Sequence, residues 1–145
     1  MTFKTIGVRK NVKKQSIKSA KKKAWDTFSK WVRLSNAGID GYVECYTCPA
    51  RRHWKEMQAG HFIDGRGNSV LFHEDIVKPQ CMPCNVFKKG NKDVFTPKML
   101  TEYGAEKIME FWALKNKVVQ LRIADYNEIT EIYKEKIKNL QGQQV

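Results

Sequence analysis

From Ser16 onward, apolar residues recur at three- and four-residue steps: Ile17, Ala20, Ala24, Phe28 and Trp31/Val32. That period predicts an amphipathic helix, with Ser16 placed to cap its start and Gly38 to follow its end. Lys14, Lys18, Lys21 and Lys22 fall off the stripe, on a face able to touch phosphates. Further on, Tyr42 to Cys45 reads as a short strand and residues 51–56 as a polar turn. Met57 to Ile63 reads as a strand in which Gly60 allows close backbone approach. Asp64-Gly-Arg-Gly-Asn68 is a loop by its glycines. Val70 to Phe72 and Ile76 to Val77 are short apolar pieces, and Pro79 limits ladder pairing there. A short helix is expected through Asn85, Val86 and Phe87, ending near Gly90. Thr96-Pro97 has the form of a helix start, and Gly104 breaks that helix after Tyr103. A second helix from Ala105 to about Asn116 is expected to bury Ile108, Met109 and Trp112. The last, from about Ile123 to Leu140, carries a stripe of Tyr126, Ile129, Tyr133, Ile137 and Leu140.

This pattern divides the chain into a flexible basic arm (1–15), one α+β domain (16–140) and a short tail (141–145). The 145 residues suffice for one domain with a real core. The longest apolar run, Phe111 to Leu114, is far below the roughly 20 residues that span a bilayer. Behind the basic N-terminus lies no apolar segment of the secretory kind. A soluble, cytoplasmic protein with no membrane partner is therefore expected. Trp25, Trp31, Trp54 and Trp112 read as core residues before base-stacking platforms.

Charge changes the picture. The formal net charge is +12, and residues 1–33 hold eleven Lys/Arg against a single acid, Asp26. The remainder is close to neutral. So concentrated a positive field attracts polyanions, chiefly nucleic acid, unless the arm is only a solubilising tail.

The four cysteines form two pairs, Cys45-Tyr-Thr-Cys48 and Cys81-Met-Pro-Cys84. In a reducing compartment such knuckles fit tetrahedral zinc, each turning two thiolates toward one point. Four thiolates close the shell, so the expected Zn²⁺ is structural. Iron in the same geometry and a redox pair are the alternatives.

Between the knuckles lies Ala59-Gly60-His61-Phe62, and directly after the second come Asn85 and Lys88. If one ion joins the knuckles, a strand pair and the following helix must meet, bringing His61 near Asn85. Phosphodiester hydrolysis needs a base to activate water and a divalent cation to offset charge on the phosphate. A neutral imidazole can serve as the base, and an Asn oxygen can hold a hard cation such as Mg²⁺ or Mn²⁺.

The run Cys-x-x-Cys, Gln-Ala-Gly-His-Phe-Ile, Pro-Gln-Cys-x-x-Cys-Asn and Lys-x-Gly-Asn resembles the HNH, or ββα-metal, nucleases. More narrowly it resembles the NinG (Rap) recombination endonucleases of bacteriophages, over about Ser16 to Leu140. The resemblance implies a zinc-stabilised, treble-clef-like ββα core at about 42–92, with the basic helix before it and C-terminal helices at about 97–140 after it. It implies a structure-selective DNA endonuclease acting on branched recombination intermediates in a bacterial host. It assigns the general base to His61, the catalytic-metal ligand to Asn85 and the structural zinc to Cys45, Cys48, Cys81 and Cys84. Arg66 falls in the loop where this group tends to place a phosphate-binding Arg, and His61 itself also counts among the groups near the catalytic metal.

Two positions depart from the HNH pattern. Gly60 stands where many members have an acid that is a second metal ligand; Asp64, His73 and Asp75 are the candidates to replace it. Ile76 stands where an Asn orients the base, so a backbone carbonyl or Asp75 must take that role. These departures keep open a non-catalytic zinc module that binds branched or single-stranded DNA. A third reading is an RNA-binding zinc protein. Lys88, Lys89 and Lys92 are candidate phosphate contacts, and the last helix is a candidate homodimer interface.

Overall fold

The computed structural model describes residues 14–142. Most of the expected arm and the last three residues of the tail lie outside the described residues. The order of elements is α1 (Ile17–Ser35), β1 (Tyr42–Glu44), β2 (Arg51–His53), a 3-10 turn (Trp54–Glu56), β3 (Gln58–His61), α2 (Asn68–Leu71) and β4 (Val77–Gln80), followed by a π-helical turn (Pro83–Phe87), α3 (Lys92–Tyr103), α4 (Ala105–Leu114) and α5 (Ile123–Gly142). The fold is α+β, and the described residues form two antiparallel two-stranded sheets, β1–β2 and β3–β4.

Helix α1 starts as its sequence dictates. The Ser16 hydroxyl accepts from the Ser19 N–H at 3.1 Å, satisfying one orphan donor of the first turn. Ala20, Ala24, Phe28 and Val32 are buried along one face. Their partner is α5, whose buried face is Tyr126, Thr130, Tyr133 and Ile137. The ring of Tyr133 meets Phe28 edge-on at 4.9 Å. The apolar stripe of α5 is thus used within the chain, against α1. Gln15, at the end of the expected arm, exchanges two hydrogen bonds of 3.1 Å with Asn127 of α5.

The region between the helices departs from the sequence pattern at several points. Residues 51–53 form β2, although no apolar alternation marks them; they pair with β1 in the register Tyr42↔His53. Neither strand needs an apolar face, because only Val43 between them is buried. The apolar piece at 70–72 is part of the single helical turn α2. Pro79 lies within β4, opposite Ala59. Its carbonyl accepts from the Tyr46 N–H at 2.9 Å, on the edge away from β3. The proline nitrogen shares that edge, so its missing N–H removes no β3–β4 bond.

The third helix starts at Lys92, four residues before Thr96. The Asn91 carbonyl accepts from the N–H groups of Val94 and Phe95, and burial of Phe95 and Met99 draws this earlier turn into the core. Pro97 therefore lies inside the helix. Gly104, at φ +83, separates α3 from α4 with a backbone that a side chain would strain. In α4 the buried pair is Ile108 and Phe111, while Met109 is 68% and Trp112 49% exposed. Edge contact of Tyr103 with Phe111 at 5.4 Å sets that rotation. No described helix is long and apolar enough to cross a membrane.

Candidate functional site

Strands β1 and β4 and the turns behind them bring the two knuckles together. The four Sγ atoms of Cys45, Cys48, Cys81 and Cys84 lie within 4.8 Å of one another. Cys48 and Cys81 are separated by 3.6 Å. Zn–S bonds of about 2.3 Å in a tetrahedron place sulfurs about 3.8 Å apart, so this cluster fits a zinc ion. Backbone N–H groups already face the sulfurs: Cys81 N–H donates to Cys45 Sγ at 3.3 Å and Ala50 N–H to Cys48 Sγ at 3.4 Å. Burial opposes the Cys45 thiolate, but hydrogen bonds from the Cys81 and Thr47 backbone outweigh it and bring its pKa to about 7. Burial pushes Cys81 up to about 12, and a bound cation would favour its thiolate.

A second site begins at Asn85, the residue after Cys84. A cleft of about 370 Å³ is lined by Ala59, His61, Asp64, Arg66, Asn85 and Lys89, with Ile63, Gly65 and Gly90 completing its wall. The end of β3 supplies His61, the following loop Asp64 and Arg66, and the π-helical turn Asn85. Thus His61, Asn85, Arg66 and Asp64, separated along the chain, share one concavity.

Two contacts fix the His61 ring. Its Nε2 lies 3.3 Å from the Leu71 carbonyl, which can only accept, so this nitrogen carries the proton. The group that orients the ring is therefore a backbone carbonyl and not Asp75. The Trp25 indole of α1 stacks on the imidazole at 4.8 Å and 25°. Arg66 lies on the same indole, 4.9 Å from a ring centroid. Burial lowers the His61 pKa to about 4, and the nearby Arg66 and Lys92 charges act in the same direction. The ring is consequently neutral at pH 7, with a lone pair on Nδ1. With one lone pair, it cannot be a proton acceptor and a metal ligand at the same moment.

Asn85 is held in a comparable way. Its Nδ2 donates to Gln58 Oε1 at 2.7 Å, leaving Oδ1 as the acceptor. Gln58 was not legible as a site residue, and neither was Trp25, whose aromatic spacing marks it as core. A Gln directly after a strand-entering Met offers no signal of its own; only the pairing of β3 against the knuckle turn gives it a role.

The structure separates the other candidates. Asp75 faces a different hollow beside Trp31 and Tyr103, and His73 packs edge-on against Phe111 at 5.4 Å. Of the three proposed second ligands, only Asp64 lines the cleft. Its Oδ1 lies 3.4 Å from Lys92 Nζ. Lys92 is not a free phosphate contact: its ammonium donates to the carbonyls of His61 at 2.7 Å and Phe62 at 2.6 Å. Burial lowers its pKa, opposed by Asp64. Lys88 is exposed, and Lys89 faces the cleft.

The absence of an acid before His61 also has a physical reason. A Cβ on Gly60 would fall 1.8 Å from Gln80 Oε1. Gln80 is fully buried and pinned by hydrogen bonds of 2.9 Å to Thr47 Oγ1 and the Gly90 carbonyl. Any side chain at position 60 would displace it. Backbone strain gathers here too: Arg66 (φ 51) and Lys89 (φ 50) both adopt left-handed conformations, uncommon outside glycine and more frequent at functional sites.

A zinc-type cysteine cluster buttressing an open cationic cleft, carried on an α+β frame, defines the kind of protein this is. The chain matches the family described as Bacteriophage Lambda NinG protein over residues 4–143, and it belongs to that family. No curated protein and no solved structure matches it.

Proposed function

We propose that this protein is a metal-dependent, structure-selective DNA endonuclease of the HNH type, acting on branched recombination intermediates. One observation carries the reading. His61 and Asn85 line one cleft, and each is anchored through one polar atom so that the other, Nδ1 or Oδ1, is left with a lone pair. The β3–β4 hairpin followed by the Asn85 turn supports the HNH comparison.

In this reading His61 Nδ1 takes a proton from the water that attacks phosphorus, and the bond to the 3′ oxygen breaks. Arg66 and Lys89 hold non-bridging phosphate oxygens. Asn85 and Asp64 would be the oxygen donors for Mg²⁺ or Mn²⁺, and such a cation, when bound, would supply charge that steadies the phosphate and the departing oxygen. One or two protein oxygens suffice for Mg²⁺, which keeps water and phosphate in its other positions. The Lys-rich face of α1 and the arm grip the DNA backbone without reading sequence. The protein acts in the cytoplasm of the bacterial host.

The test is His61→Ala. Zinc content, fold and junction affinity should persist while cleavage of a branched DNA with Mg²⁺ or Mn²⁺ falls by about 10²- to 10⁴-fold. Undiminished cleavage by the purified variant would remove His61 from the reaction. A second reading, a non-catalytic DNA-binding zinc module, draws on Gly60 and on the pairing of Asp64 with Lys92. A wild-type protein that shifts a branched DNA but yields no product with either cation would favour it.

A further inference from the structure

Just outside the cleft, the chain displays apolar side chains that the nuclease reading does not use. On and beside the π-helical turn, Phe87 is 73%, Val86 51% and Met82 42% exposed. Phe87 has no aromatic partner among the described residues, whereas the rings of the core pack against one another. Burying such a ring would gain about 2 kcal/mol or more, so a ring left in water beside a reactive cleft calls for an occupant.

The turn that carries Phe87 is rigid. The Lys88 N–H donates to the Pro83 carbonyl, Lys89 to Val86, Gly90 to Cys84 and Asn91 to Lys88, all at 2.9–3.2 Å. Asn91 Nδ2 reaches back to the Thr47 carbonyl at 3.0 Å. Two residues before Phe87 stands Asn85, and two after it Lys89, both on the cleft wall. Exposed Lys88 lies between. The pattern is an aromatic ring on a stiff mount, flanked by ammonium groups, a few residues from the reacting phosphate's expected position.

We infer that Phe87 is a stacking wedge that enters a branched DNA at its branch point and packs against an unpaired or unstacked base, while Lys88 and Lys89 hold the adjoining phosphates. This rests on the nuclease reading for the direction of the DNA and deepens it by assigning the branch preference to a side chain. Charge complementarity selects the occupant: apolar residues set among lysines, on a chain of net charge +12, suit a polyanion that also presents π-faces. In a continuous duplex every base is already stacked on both sides, so the ring must break a stack to enter. At a branch the stacking is interrupted, and a base is available at lower cost.

The experiment uses the full zinc-loaded chain with Ca²⁺ in place of Mg²⁺, so that binding is read without turnover. The probes are a four-way junction carrying 2-aminopurine at the branch and a linear duplex of equal length. Phe87→Ala should weaken junction binding roughly 5- to 100-fold, the range expected of one base–aromatic stack, and leave duplex binding unchanged. The 2-aminopurine signal that changes on wild-type binding should stay flat with the variant. Phe87→Trp should restore both. Zinc content and circular dichroism confirm the fold of each variant, and a 73% exposed position tolerates Phe87→Ser as a second check.

Junction and duplex binding equal to wild type in Phe87→Ala would overturn the wedge. An equal loss on both probes would also do so, making Phe87 a general contact. Loss of self-association with intact junction binding would assign the ring to a second copy of the chain. The nuclease reading fails separately, through undiminished cleavage by His61→Ala.

Discussion

The cysteine cluster takes in Cys84 and the cleft takes in Asn85, the next residue, yet the two are built on opposite principles. Four identical donors converge in the cluster, three of them buried, within a sphere that a single ion fills. The cleft gathers unlike groups, leaves them open to solvent, and holds Arg66 and Lys89 in strained backbone. Closure lets the cluster set the fold. Openness leaves the cleft accessible from outside, with order supplied from behind by Leu71, Trp25, Gln58 and Lys92.

The largest expected effect belongs to the cluster. Removing zinc with a strong chelator, or making Cys81→Ser, should unfold the region from β1 to the π-helical turn, since structural zinc contributes on the order of 10 kcal/mol in comparable small sites. Circular dichroism and thermal melts with and without chelator would check this; an unchanged melting temperature would mean the cluster is not a metal site.

The next effect belongs to the cleft and depends on pH. His61 has a folded pKa of about 4, below its ordinary value of 6.5. The unfolded chain therefore binds the proton more readily, and stability contributed by the neutral ring is present above pH 6.5 and is lost as pH falls toward 4. Its full size is about 3 kcal/mol. Comparing denaturant midpoints of wild type and His61→Gln across pH 4–6.5 isolates this slope from the acid release of zinc, which both share; parallel curves would refute it.

Smaller again is Lys92→Met. The variant leaves the carbonyls of His61 and Phe62 without their donor, at a cost of about 1–3 kcal/mol. Denaturant unfolding measures that loss. If Lys92 were a surface phosphate contact, stability would hold and only the salt dependence of DNA binding would change.

Least in stability is Arg66→Gly. Glycine relieves the left-handed backbone, but the Arg66 contact with Trp25 is lost, so the net change should stay within about 1 kcal/mol. Junction cleavage should fall nonetheless. A variant equally stable and equally active would make Arg66 a plain loop residue.

Much of this was written in local patterns. Cys-x-x-Cys spacing marked the four thiols because each pair acts over three residues, and Ser16 and the α1 stripe marked a helix because capping and amphipathicity are local too. Gly60 was legible as a close approach, though not that Gln80 was what approached. Other features depended on partners distant in the chain. Residues 51–53 became a strand because β1 lay beside them, not through any apolar alternation. Phe111 displaced Met109 and Trp112 from the core because Tyr103 packs against it. The α5 stripe has its partner in α1, about a hundred residues earlier in the chain.

For the cleft, the sequence by itself determined which chemical groups were available: His61 between the two knuckles, Asn85 directly after the second, and a basic arm ahead of both. Only tertiary structure decided how they are held. It gave the orienting role to the Leu71 carbonyl, withdrew His73, Asp75 and Lys92 from the site, and laid Trp25 over His61. Those outcomes rest on backbone carbonyls and ring faces brought together from distant segments, and such contacts leave no periodic trace along a chain.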